Sequence, residues 1–154
     1  DVRTGTLSPA RCINGLVPVI LPGLPAEHAA AIVAEASSHR FGMPDQTGLP
    51  LPSYDRTAPD FDPLRYWRGP IWTNANWLLR RGLQQHGYHD QAEDLRAAML
   101  RMVHRSGFYE YFHPDNGEGI GAPTFSWTAA LTLDMLADRS TPAYETAAAI
   151  SARM

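Results

Sequence analysis

The sequence predicts an all-α protein. Apolar residues recur at helical spacing in several stretches, proline and glycine punctuate those stretches at their ends, and no alternating run reaches a convincing strand length. Pro25 suits a first helical position, and Ala29, Ile32, Val33 and Ala36 then share one face of a helix reaching about His39. Gly69-Pro70 opens a second helix that runs to about His86 and is closed by Gly87. Asp90 and Glu93 offer a D-x-x-E capping box to a third, whose apolar face is Leu95, Met99, Met102 and Val103 and whose end is Gly107. Ser126 can cap a fourth through about Ala137, and Thr141-Pro142 starts a last, alanine-rich one.

The remainder is irregular. Residues before Pro25, with Pro9, Pro18, Pro22 and Gly23, read as loop and short extended pieces. Two long loops, 41–68 and 108–125, interrupt the helices, and loops of that length inside a compact domain favour function. The Ser126 helix is apolar over most of its circumference, so neighbours are expected to cover it on several sides. Short helices with this much loop give a thin core for 154 residues. Both features lead to the expectation of a larger helical array, which a start at Asp1 rather than methionine also suggests. No internal domain boundary is expected across 1–154.

Composition removes several classes of function. Apolar content of 44% with 19% charged residues describes a globular chain, and no apolar run approaches the length of a membrane span. All thirteen cationic Lys/Arg positions are arginine, a bias that fits a GC-rich bacterial genome. Without lysine there is no P-loop clamp, Schiff base, pyridoxal site or Ser-Lys pair. Cys12 stands alone, which excludes a multi-cysteine metal site and an internal disulfide and suggests a reducing, cytoplasmic setting. A net charge of −3 provides no basic field for nucleic acid. Carboxylate, imidazole and hydroxyl chemistry remain.

Two clusters carry that chemistry. The first is Tyr66-Trp67-Arg68-Gly69-Pro70-Ile71-Trp72-Thr73-Asn74-Ala75-Asn76. Aromatic faces stack on sugar C–H surfaces while Arg and Asn supply donors for hydroxyls, the mixture a neutral polyhydroxylated ring requires. The same residues also fit a core aromatic cluster with Asn74 and Asn76 satisfied by backbone. The second cluster runs from Gly107 to Gly119 and sets Glu110 among Phe108, Tyr109, Tyr111 and Phe112. Partial burial there would suit Glu110 to acid or base work, whereas pairing with an arginine or solvation would leave it structural.

Other polar residues point to structure. Asp115 and Glu118 lie in a turn-rich stretch that lacks the alternating oxygens of a calcium loop. His86 and His89 have H-x-x-H spacing, but Gly87 breaks the helix between them. Asp134 reads as a buried, hydrogen-bonded carboxylate. No G-x-S-x-G elbow is present.

Tyr66-Trp67-Arg68-Gly69-Pro70-Ile71-Trp72, the Gly107–Phe112 run and Phe125-Ser126-Trp127-Thr128-Ala129-Ala130 together resemble glycoside hydrolase family 63. That family includes processing α-glucosidases and the bacterial glucosylglycerate and mannosylglycerate hydrolases, and shares a clan with trehalases. The likeness extends from Asp1-Val2-Arg3-Thr4-Gly5 through Leu51-Pro52-Ser53 to about Ala137. It implies an (α/α)6 toroid of which this chain is the C-terminal portion, incomplete without the N-terminal part of the same catalytic domain.

The resemblance also implies inverting hydrolysis of an α-glycoside, glucosylglycerate first and mannosylglycerate second. By motif match Glu110 resembles the general base. Tyr66, Trp67 and Trp72 resemble the wall of the sugar pocket, with Arg68 and Asn74 as hydroxyl partners. Trp127 resembles a residue near the pocket floor, although packing would equally explain it. The family's general acid is an aspartate in an S-G-x-D-type segment, which is not found here. Thr73 stands where relatives often have proline, and Pro123-Thr124 replace a glutamine common in the trehalase branch. The expected partner is a small sugar substrate, with no cofactor, metal, nucleic acid or membrane. The alternative is a non-catalytic sugar-binding or structural helical module, and a trehalase-like activity is a third reading.

Overall fold

A computed structural model describes residues 2–43 and 48–138. The class is all-α. Four helices carry it: α1 (Ala26–Ala36), α2 (Thr73–Gln85), α3 (His89–Ser106) and α4 (Ser126–Ala137). A two-stranded antiparallel hairpin, β1 (Tyr111–Phe112) and β2 (Gly119–Ile120), pairs Tyr111 with Ile120 and Phe112 with Gly119. The helix expected from Thr141 lies outside the described residues.

Helix α2 is the centre of the packing. Its buried face includes Ala75, Leu79 and Leu83, and α3 answers with Ala92, Leu95 and Met99. On another side α2 lies against a 3-10 turn at Val17–Ile20, which follows one at Ile13–Gly15. These turns replace the extended pieces expected before Pro25. Proline near the start of such a turn loses no hydrogen bond, because the first N–H groups have no internal partner. The approach is close enough to require Gly82. A Cβ there would stand 2.7 Å from the Val19 carbonyl carbon and 2.8 Å from its oxygen.

Helix starts differ from expectation in ways the contacts explain. Pro25 occupies the N-cap position, and α1 begins at Ala26. Helix α2 begins at Thr73 rather than Pro70 because the residues before it are extended. Ile71 exchanges backbone bonds with Phe112 at 2.8 and 2.9 Å, and Pro70 accepts from the Ser53 N–H at 3.0 Å. The Asp90–Glu93 box is not made. Helix α3 starts at His89 with Tyr88 at the cap, Asp90 in its first turn, and Glu93 accepting from Arg96 at 2.8 Å. Ser126 is the first helical residue of α4 and makes no cap bond; Phe125 holds the cap position.

The long first loop is tied into the core. The Asn76 side chain, fully buried, accepts from the Leu51 N–H at 2.9 Å and donates to the carbonyls of Leu51 at 2.9 Å and Trp72 at 3.0 Å. Asn76 is therefore the backbone-satisfied amide of the two. Buried Arg80 donates to Asp138 at 2.6 Å and links α2 to the end of α4.

Helix α4 buries Thr128, Thr132 and Met135, at i, i+4 and i+7, and leaves Trp127, Leu133 and Leu136 more than half exposed. The apolar circumference read from the sequence thus has an uncovered side within the described residues. Asp134 lies on that exposed side. The expectation of a buried carboxylate fails, because the buried stripe is 128–132–135; its hydrogen bond, accepted from the Trp77 indole at 2.7 Å, is present.

Candidate active site

The Gly69–Trp72 segment bonds to β1 through Ile71 and Phe112, and that pairing brings the two sequence clusters together. Trp67 and Trp72 stack with ring centroids 4.2 Å apart and planes 6° from parallel. Tyr111 stacks with Trp72 at 5.1 Å. Tyr66 meets Trp72, Tyr111 and Trp67 edge-on at 4.8, 5.4 and 6.3 Å. The exposed ring of this wall is Tyr66, whereas Trp72 is buried and backs it. Tyr66 has φ +33°, in the left-handed region that side chains with a Cβ rarely adopt. Its carbonyl accepts from the Trp72 indole at 3.0 Å, a bond that helps hold this conformation.

Glu110 lies at the edge of this wall, half-buried. Its Oε1 accepts from the Tyr66 hydroxyl at 3.1 Å and its Oε2 from the Ala122 N–H at 3.3 Å. Among the described residues no arginine pairs with it, which removes one structural role the sequence left open. The Tyr66 phenol is raised above its ordinary pKa, first by its hydrogen bond to Glu110, then by burial and by the charge of Glu110. It therefore keeps its proton, and with it the donor role, beyond the pH at which an ordinary phenol ionises.

The other expected site residues lie in two further groups. Arg68 donates to Asp60 and, at 2.9 Å, to the Tyr54 hydroxyl, and its guanidinium stands 4.9 Å from the Tyr54 ring centroid. The Tyr54 phenol is also raised, by desolvation first and then by its bond to Asp60. Asn74 and Trp127 line a cleft of about 320 Å³ between α2 and α4, with Trp77, Leu78, Ala130 and Leu131. The Asn74 Oδ1 accepts from the Ala75 N–H at 2.9 Å, leaving its amide nitrogen for other partners. Of the remaining carboxylates, Asp115 pairs with Arg56 at 2.8 Å.

Residues that the sequence did not single out complete the arrangement: Tyr111 in the wall, Tyr54 and Asp60 on Arg68, and the backbone of Gly121 and Ala122 on Glu110. Only Tyr111 had a visible signal, its place beside Glu110 in an aromatic run. No group of His, Cys, Asp and Glu able to hold a metal occurs among the described residues, and no described helix is long and apolar enough to cross a membrane.

A carboxylate held against an aromatic wall on a helical scaffold is an arrangement suited to a polyhydroxylated ring. Residues 1–128 match the mannosylglycerate hydrolase MGH1-like glycoside hydrolase domain, and the chain belongs to that family. It is 48% identical over 110 residues to a mannosylglycerate hydrolase of Rubrobacter radiotolerans, covering 71% of this chain and 25% of that one. It is 37% identical over 120 residues to a glucosylglycerate hydrolase of Mycolicibacterium hassiacum, covering 77% and 27%. The crystal structure of a GH63 mannosylglycerate hydrolase from Thermus thermophilus, in complex with Tris and D-glycerate, superposes with a TM-score of 0.76. It shares 36% identity and covers 86% of this chain and 31% of its own. The chain thus spans about a quarter to a third of the length of these relatives. Its helices form part of a family 63 (α/α)6 toroid.

Proposed function

We propose that the protein carrying this chain hydrolyses α-glycosides of glycerate with inversion, and that Glu110 is its general base. The observation that carries this reading is the Glu110 carboxylate. It is half-buried, has no arginine partner among the described residues, and is set beside Tyr66 in an aromatic wall. An ionised carboxylate there can take a proton from water as the water oxygen attacks the anomeric carbon. An acid on the other side of the ring protonates the leaving glycosidic oxygen, and the pair stands about 6.5–9.5 Å apart to admit the water. That acid belongs to a segment other than this chain. The products are glycerate and a sugar of inverted anomeric configuration.

The similarity to named mannosylglycerate and glucosylglycerate hydrolases supports glycerate as the leaving group. The 48% identity supports trying mannosylglycerate ahead of glucosylglycerate, the reverse of the order expected from sequence. Exposed Tyr66 and half-buried Trp67 provide the aromatic surface for the sugar ring, backed by Trp72. Trp127 and Asn74, in their own cleft, are the candidates for contacts further along the substrate. Arg68, engaged with Asp60 and Tyr54, shapes the wall and retains other N–H donors for hydroxyls. The test is turnover of both glycerate glycosides and trehalose by the native polypeptide and its Glu110→Gln form. We expect release of glycerate by the native form alone, with substrate binding kept in the variant. Turnover retained in Glu110→Gln would remove Glu110 from the reaction.

A further inference from the structure

We propose that Glu110 is fixed in one orientation by two positioning groups, the Ala122 backbone amide, admitted by the bare Cα of Gly121, and the Tyr66 hydroxyl. This inference rests on the reading of Glu110 as general base. The Gly121–Ala122 turn closes on Glu110 twice. The Glu110 N–H donates to the Ala122 carbonyl at 3.0 Å, and the Ala122 N–H returns to Oε2 at 3.3 Å. Such an exchange needs the turn to lie directly against the carboxylate.

A side chain on Gly121 would push the carboxylate out of that approach. A Cβ on Gly121 would lie 2.8 Å from the Glu110 Oε2, 2.8 Å from the Tyr111 ring and 3.1 Å from the Glu110 Cβ. Gly121 also has φ +78°, and Thr124, three residues on, is itself left-handed at +58°. The segment therefore holds one conformation that glycine adopts readily and one that is uncommon for a residue with a Cβ, both beside the carboxylate it binds. On the other oxygen the Tyr66 hydroxyl donates at 3.1 Å from a residue that is itself held left-handed. A carboxylate has about four lone-pair positions. Two are occupied by these donors, and the others remain for a water. The arrangement restricts the side chain's rotation without consuming its capacity as a base.

The experiment measures kcat and KM on mannosylglycerate for the native polypeptide carrying this chain and for Gly121→Ala, Tyr66→Phe, Gly87→Ala and Glu110→Gln. Gly87 is the control for backbone strain. It has φ +83°, but a Cβ there meets nothing within 4 Å. We expect Gly121→Ala to lower kcat about 100-fold with KM changed less than about threefold, as for a reacting group displaced by about 1 Å. Tyr66→Phe should lower kcat about tenfold, again with KM nearly constant. Gly87→Ala should keep kcat within about twofold at a similar loss of thermal stability.

Equal kcat losses in Gly121→Ala and Gly87→Ala would overturn the proposal, since backbone strain alone would explain them. So would a rise in KM at native kcat in Tyr66→Phe, which would make its hydroxyl a sugar contact only. Should Gly121→Ala fail to fold, the kcat-against-KM split in Tyr66→Phe decides the matter in the same way. Full turnover in Glu110→Gln is a separate outcome, which rejects the base assignment itself.

Discussion

The Tyr66 hydroxyl donates to the Glu110 Oε1 at 3.1 Å, joining the exposed ring of the aromatic wall to the carboxylate beside it. The bond raises the Tyr66 pKa because a charged acceptor disfavours the phenolate. In the folded protein Tyr66 keeps its proton at pH values where the unfolded chain has lost it. Above about pH 10 the unfolded state therefore binds fewer protons, and stability falls as pH rises towards the raised value. Ultraviolet difference titration should show a phenol ionising late, absent in Tyr66→Phe. In Glu110→Gln, which removes the carboxylate charge but keeps an amide oxygen that can accept the bond, that phenol should move part of the way back towards its ordinary value.

Asn76 is expected to be a major stabilising side chain. Its amide satisfies both backbone groups of Leu51 from inside the core. Asn76→Ala leaves those groups and the Trp72 carbonyl short of partners and opens space, at a cost of about 2–4 kcal/mol. Chemical denaturation should show the midpoint falling with the slope unchanged. A loss below about 0.5 kcal/mol would mean that water or a backbone shift replaces the amide.

The Arg80–Asp138 pair should respond asymmetrically. Arg80 is fully buried, and its Nε and Nη1 find no partner among the described residues. Asp138→Ala leaves that guanidinium without its carboxylate, with an expected cost of about 3–5 kcal/mol. Arg80→Met fills similar volume and removes the charge, and should cost less. A double-mutant cycle checks the difference, with weak coupling as the contrary result.

The two aromatic groups should separate in kinetics. Trp67→Ala removes the ring stacked on Trp72 and should weaken sugar binding by about 1 kcal/mol or more. Trp127 lines the cleft beside Asn74, so Trp127→Ala should act on the part of the substrate that this cleft holds. A rise in KM for the larger glycoside, with free sugar binding unaltered, would place Trp127 beyond the first ring. Equal effects on both ligands would not.

Much of the helical scaffold could be read locally. The Ala29–Val33–Ala36 stripe, the Leu95–Met99–Met102 face and the glycines at 87 and 107 are patterns within a few residues of one another. What failed depended on competition between local options. Glu93 accepts from Arg96, and Asp90 falls inside the helix instead of capping it. Asp134 faces outward because the Thr128–Thr132–Met135 stripe takes the buried side. In the site, the residues bearing rings and carboxylates stood out because such side chains announce their chemistry. The Ala122 amide did not, since a backbone group has no residue-specific signature. Arg68's commitment to Asp60 and Tyr54 depends on the path of a proline-rich loop, which no periodicity encodes.

The most direct test of the central claim is the configuration of the first sugar released. Proton NMR of the native polypeptide with an α-linked mannosyl- or glucosylglycerate, from the earliest minutes, should show the β-anomer first, with α appearing only by mutarotation. The Glu110→Gln form should release neither. Early α-anomer would instead mean retention, making a carboxylate the nucleophile and contradicting the assignment of Glu110 as the base that activates water.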